Sequence, residues 1–249
     1  MLRFLPILAL SALAACAAPR VSAPPSSLPI VVAEAPTLSP FEAALREIGA
    51  EFRPPARGKA VLVNIPAFEL IAFEDGEPVM TSRVIVGTPR TQTPVLDTAV
   101  SAVRFRPTWR PTPSMIASGE YEDRVWPAGP RNPLGLAAIR LEPGLLVYLH
   151  DTNRPALFER DARALSHGCV RTEKWDALAA WILDISVEEV LAHANGRRSF
   201  DMAPPTPVPV FLRYHTEFPD ADGAIRRHRD IYRRDASLVA SSGEVCPMG

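Results

Sequence analysis

Little in this chain serves metal binding, disulfide cross-linking or membrane crossing. Its 249 residues include three cysteines and five histidines. No HExxH or CxxC pattern is present, so a zinc site on His150, His167 and Cys169 has no supporting motif and no metal or other cofactor is expected. The formal net charge is -1, which gives no attraction to nucleic acid or to an anionic surface. No apolar run approaches the ~20 residues of a membrane span. There is no internal repeat and no internal linker long enough to divide the folded part. Proline, by contrast, is abundant: 27 residues, about twice the usual ~5% share. With 47% hydrophobic residues, the composition is that of a globular, mainly β protein with many turns, not of a helical bundle.

The N-terminus reads as a targeting segment. Arg3 is followed by the short apolar run Phe4 to Leu13 and then by Leu13-Ala14-Ala15-Cys16. Small residues before a cysteine resemble a bacterial lipobox, with residues 1–15 removed and Cys16 lipidated. An ordinary signal peptide cut near Ala18 is the plainer alternative. Ala17 after the cysteine favours the outer membrane. Residues 16–40, rich in Ala, Pro and Ser, form a tether. Residues 236–249 form a C-terminal tail containing Cys246. A Cys169–Cys246 disulfide is conceivable in an oxidising compartment, but a tail cysteine is a poor staple.

Between tether and tail, residues 41–58 carry apolar side chains at helical spacing (Phe41, Ala44, Ile48, Phe52), a packing element with no chemistry. The pattern then turns to strands: Ala60 to Ile65, Glu69 to Phe73, Val79 to Val86, Thr98 to Phe105, Leu145 to His150 and Val208 to Tyr214. Glu74-Asp75-Gly76-Glu77 is a hairpin turn. Lys174 to Leu183 and Val187 to Ala194 read as helices, and Asp220 to Gly223 as a turn into Ala224 to Ile231. The basic run Arg226 to Arg229 fits a solvated edge. Pro107 to Pro133 is proline-rich, irregular and too long for a simple connection, the usual mark of a functional loop.

Chemistry concentrates in Ser166-His167-Gly168-Cys169-Val170-Arg171. A strand here would put His167 and Cys169 on one face. A thiol attacks as thiolate, and His150 or His167 is the candidate base. Gly168 permits close backbone approach, the Cys169 amide is an oxyanion donor, and Arg171 can hold a carboxylate bidentately. Singly, each residue has a bland reading as packing or surface. Their clustering makes Cys169 the candidate nucleophile.

These residues resemble the L,D-transpeptidase (YkuD-type) family: a histidine, a gap, then Ser/Thr-His-Gly-Cys and a polar residue two positions on. Arg171, together with Asn64-Ile65-Pro66, Arg83 to Pro89, Gln92 to Val95, Asn132 to Gly135, Tyr148 to Thr152, Leu157 to Glu159 and Asp230 to Asp235, is similar to the YcbB-like subgroup. The resemblance covers residues 59–235, taken as one catalytic domain. It implies an L,D-transpeptidase-like β-sandwich with a few peripheral helices. It also implies a peptidoglycan enzyme: Cys169 attacks a stem tetrapeptide and releases D-Ala, His150 moves the proton, His167 and Ser166 shape the pocket, and amides near Gly168 and Cys169 hold the oxyanion. Arg171 orients a substrate carboxylate. An amine then resolves the thioester, either from a second stem (a 3→3 crosslink) or from an outer-membrane protein. The accessory regions of that subgroup are missing and the lid before Asn132 is short. The implied setting is the periplasm, lipid-anchored to the outer membrane of a Gram-negative bacterium. Hydrolysis by an L,D-carboxypeptidase or endopeptidase, and a non-catalytic wall-binding lipoprotein, are the competing expectations.

Overall fold

The computed structural model describes residues 38–235. The expected signal segment, tether up to residue 37, lipidation site Cys16 and tail cysteine Cys246 lie outside them. Helix α1 (Pro40–Glu47) starts where the Ser39 side chain accepts from the Glu42 amide at 3.2 Å, and Gly49 at φ +63° ends the turn after it. Strands β1 (Lys59–Asn64), β2 (Glu69–Glu74), β3 (Glu77–Gly87) and β4 (Leu96–Phe105) follow. Asp75 and Gly76 both have positive φ, the geometry a two-residue hairpin between β2 and β3 requires. Next come α2 (Pro113–Ala117), β5 (Ala137–Leu141), β6 (Tyr148–His150), β7 (Ala164–Ser166) and β8 (Val170–Thr172). The chain continues through α3 (Trp175–Leu183), α4 (Val187–Asn195), β9 (Phe200–Met202), β10 (Pro209–Arg213), β11 (Glu217–Pro219) and β12 (Ile225–Arg227).

The fold is mainly β, as expected. The main sheet runs β10-β1-β2-β3-β8-β6-β5-β4, and β4 pairs back to β10, so the sheet closes on itself. Most neighbours are antiparallel; β1–β10 and β6–β8 are parallel. Strand β1 is buried along its whole length. Val61 and Val63 face the large core with α3 and α4, while Ala60 and Leu62 face a second cluster under α1 with Phe41, Leu45, Phe52, Phe73 and Phe218. Burying both faces explains why β1 reads as a continuous apolar run. The Phe41–Phe73 ring pair, 5.1 Å apart, ties α1 to the sheet, and truncating so buried a phenylalanine costs about 3–5 kcal/mol.

Several expectations need adjusting. The helix ends at Glu47, so Phe52 packs from the connection that follows. Of Leu145 to His150, only Tyr148–His150 is strand; Pro143 and Gly144 (φ +92°) delay pairing, and Leu146 stands 81% exposed. Of Ala224 to Ile231, only Ile225–Arg227 pairs, with β11. Residues 167–169 form a turn between β7 and β8, not a strand. The alternation argument for His167 and Cys169 therefore does not apply.

Candidate active site

One cavity of about 400 Å³ gathers His150, Ser166, His167, Cys169 and Arg171. Its floor is the sheet and its far wall is the Pro107–Pro133 segment, through Trp109, Arg110, Met115 and Tyr121. The parallel pairing of β6 with β8 sets His150 directly beside Arg171, one strand spacing of about 4.8 Å away. Cys169 sits at the entry to β8, partly open to the cavity.

The Ser166–Cys169 turn is built by its neighbours. Ser166 is buried; its Oγ accepts from the Gly168 amide at 3.1 Å and donates to the Cys169 carbonyl at 2.5 Å. Ser166 thus shapes the turn before it shapes the pocket. Gly168 has φ +112°, a conformation side chains resist, while a Cβ there meets nothing closer than 3.5 Å. Backbone conformation, more than close approach, demands the glycine. The Gly168 amide is thus spent on Ser166. Behind the turn, Thr93 Oγ1 donates to the Gly168 carbonyl at 2.9 Å and accepts from the Gly87 amide at 2.9 Å. Tyr232 OH donates to the Gly87 carbonyl at 2.6 Å and accepts from the Thr93 amide at 3.2 Å. Tyr214 OH accepts from the Tyr232 amide and donates to Asp230 at 2.5 Å. Thr91 Oγ1 donates to the Ser166 carbonyl at 3.0 Å. In sequence, the stretches containing Thr93 and Tyr232 carry no sign of this role.

The electrostatics leave the Cys169 thiol and the His150 imidazole neutral. His150 is 4% exposed. Burial, then the Arg171 charge, pulls its pKa down to about 3 against the backbone of Asp151 and Leu134. Its Nδ1 lies 2.5 Å from the Asp151 carbonyl, which can only accept, so Nδ1 carries the proton and Nε2 is the basic nitrogen. Desolvation pushes the Cys169 thiol up, opposed by the Tyr148 backbone and by Arg171. Sγ donates to the Leu146 carbonyl at 3.5 Å. The resting pair is thiol and neutral imidazole. His167 stands apart from this pair: its Nε2 meets Glu120 Oε2 of the far wall at 2.9 Å. Arg171 is half-buried, and its Nη1 is shielded from solvent without a hydrogen-bond partner among the described residues. An unpaired buried donor is costly, and an anion in the cavity relieves that cost. Gly135 at φ +64° abuts Asp151, whose Oδ2 accepts from the Leu136 amide at 2.8 Å; a Cβ there would lie 2.2 Å from that oxygen.

The far wall is held mostly by itself. Trp109 and Trp126 exchange backbone hydrogen bonds of 3.0 and 2.6 Å and pack with Tyr121. Asn132, 1% exposed, closes the base by donating to the Pro107 carbonyl at 2.8 Å.

Residues 58–210 match the model of the L,D-transpeptidase catalytic domain, YkuD. The chain belongs to this family. A putative L,D-transpeptidase of Haemophilus influenzae is 30% identical over 223 residues, covering 72% of this chain and 45% of that protein. The probable L,D-transpeptidase YbiS of Escherichia coli K12 is 35% identical over 124 residues, 47% of this chain and 39% of its own. The chain thus spans less than half the length of these curated relatives. A solved L,D-transpeptidase from Mycobacterium smegmatis superposes with a TM-score of 0.40 at 18% identity, over 62% of this chain and 58% of that one. The match reaches the family, not the YcbB-like subgroup. Within this L,D-transpeptidase domain, the matched span contains His150, the Ser166–Cys169 turn and Arg171.

Proposed function

We propose that this domain is a peptidoglycan L,D-transpeptidase working through a thioester on Cys169. The observation that carries the reading is the convergence on one cavity of Cys169, the neutral His150 and the unpaired buried nitrogen of Arg171. Sγ attacks the carbonyl carbon between the third residue of a stem tetrapeptide and its terminal D-Ala, while the thiol proton passes to Nε2 of His150. The Cys169 amide stabilises the oxyanion. The C–N bond breaks, and the D-Ala nitrogen leaves with the proton from His150. An acceptor amine then attacks the thioester, His150 takes its proton, and that proton returns to Sγ. Base and thiol are both neutral at rest, so proton transfer accompanies attack instead of preceding it as a thiolate–imidazolium pair. Arg171 pairs with a carboxylate near the scissile bond.

The acceptor, a second stem or an outer-membrane protein, belongs to the same proposal. So do lipid attachment at Cys16 and a periplasmic position, which rest on the order of residues around Arg3 to Cys16. Incubating the protein with disaccharide-tetrapeptide and following products by mass spectrometry tests the reading. Crosslinked dimer with free D-Ala is the expected result. Tripeptide alone would turn the assignment to hydrolysis, and absence of any product would overturn it.

A further inference from the structure

The strand register lays a single row of side chains across the floor of the cavity. Arg171 on β8 pairs with His150 on β6, His150 with Ala138 on β5, Ala138 with Arg104 on β4, and Arg104 with Asp201 on β9. Paired residues share a face, and Arg104, Ala138 and His150 all line the cavity. Arg140, opposite Tyr148 on β6, is the diagonal neighbour of His150 and lines the cavity too, at roughly 7–8 Å between side-chain origins. Ala138 is too small to fill the space between, so the floor is open from the base to these arginines.

The arginines are unequally satisfied. Arg104 grips Asp201 through both Nε and Nη2. Arg140 reaches the same carboxylate through Nη1 alone, at 2.9 Å, and remains 43% exposed. Two guanidinium groups share one carboxylate, which leaves a net positive charge and an Arg140 guanidinium edge with no further partner among the described residues. Arg171 and Arg140 therefore flank His150 as two separate cationic positions, one beside the nucleophile and one about two residues of reach away.

We infer that Arg140, braced by Arg104 and Asp201, is a second carboxylate subsite that selects the donor stem by the far end of its third residue. The inference rests on the acyl-transfer reading above. A diamino-diacid side chain carries a distal carboxylate six bonds of ~1.5 Å from the scissile carbonyl, an extended reach of roughly 7–8 Å. Arg140, on the same cavity floor as His150, is the cation placed to meet such a carboxylate. Arg171 takes the carboxylate on the leaving side, and Arg140 takes the one on the side chain that stays. A third residue ending in an ammonium, or in an amide, forgoes that charge-assisted contact.

The test measures D-Ala release from three tetrapeptide stems differing only at the third residue: diaminopimelate with a free distal carboxylate, the same residue amidated there, and lysine. The full chain is expected to favour the free acid over the other two by roughly tenfold or more in kcat/KM. In Arg140→Gln that ratio falls toward one through loss on the acid stem, and Arg140→Lys restores part of it. Equal losses on all three stems would make Arg140 merely a brace for β9, and an undiminished ratio would remove it from recognition; either result overturns the inference. Release from no stem in the unmodified protein would instead count against the acyl-transfer reading itself.

Discussion

Two segments face each other across the cavity. Ser166–Cys169 is gripped from behind by Thr91 and Thr93, through hydrogen bonds from residues 75 positions away in sequence, and Tyr232 braces Thr93 and Gly87 in turn. Pro107–Pro133 is held mainly by its own Trp109–Trp126 bridge, its Tyr121 contacts and an exposed Arg110–Asp123 pair at 2.8 Å. Across the gap, His167 meets Glu120. The turn is built for fixed geometry, where small displacements cost much rate. The loop is held together as a unit by its own packing. Mutations behind the turn should therefore damage the chemical step, and mutations in the loop should mainly change binding.

That contrast orders the expected effects. Cys169→Ala removes the proposed nucleophile and should lower D-Ala release by at least ~10³-fold, with an unchanged far-UV spectrum and melting curve. His150→Ala should cost on the order of 10²–10⁴-fold. Because burial holds His150 near 3, kcat/KM should stay level from pH 7.5 to 5.5, with the acidic limb lower still; a fall centred near pH 6.5 would break the assignment of a neutral buried base. The same depression links to stability. Between its ordinary 6.5 and about 3, the unfolded chain binds the proton and the folded one does not, so stability falls as pH drops through that window. Tyr232→Phe and Thr93→Val each leave a buried partner unmatched behind Gly168 and should reduce kcat by roughly 10-fold or more with little change in KM. A change confined to KM would dissolve the distinction between turn and loop. Glu120→Gln, cutting an exposed pair worth ~0–1 kcal/mol, should move KM by no more than a few-fold and spare kcat.

Much of this was legible in the sequence where the signal is local. The six residues Ser166 to Arg171 announce themselves because the turn, the thiol and the cation are adjacent. The Asp75-Gly76 hairpin is equally local. Strand β5 was missed because Ala137–Leu141 is buried on nearly every side and shows no alternation. Leu145–Val147 misled for the opposite reason: apolar residues there serve an exposed cavity lip, where the Leu146 carbonyl meets Sγ. The row from Arg171 to Asp201 was illegible, since Arg104 and Asp201 become neighbours only through strand register across the sheet. His167 beside Cys169 looked like a partner by period two, but a positive φ at Gly168 breaks the strand between them.

The central claim is a covalent acyl group on Cys169. Intact-protein and peptide mass spectrometry after brief mixing with disaccharide-tetrapeptide tests it most directly. An adduct equal to the donor minus D-Ala, mapped to Cys169 and absent from Cys169→Ala, is expected. An adduct on Cys246, or undiminished turnover by Cys169→Ala, would contradict it.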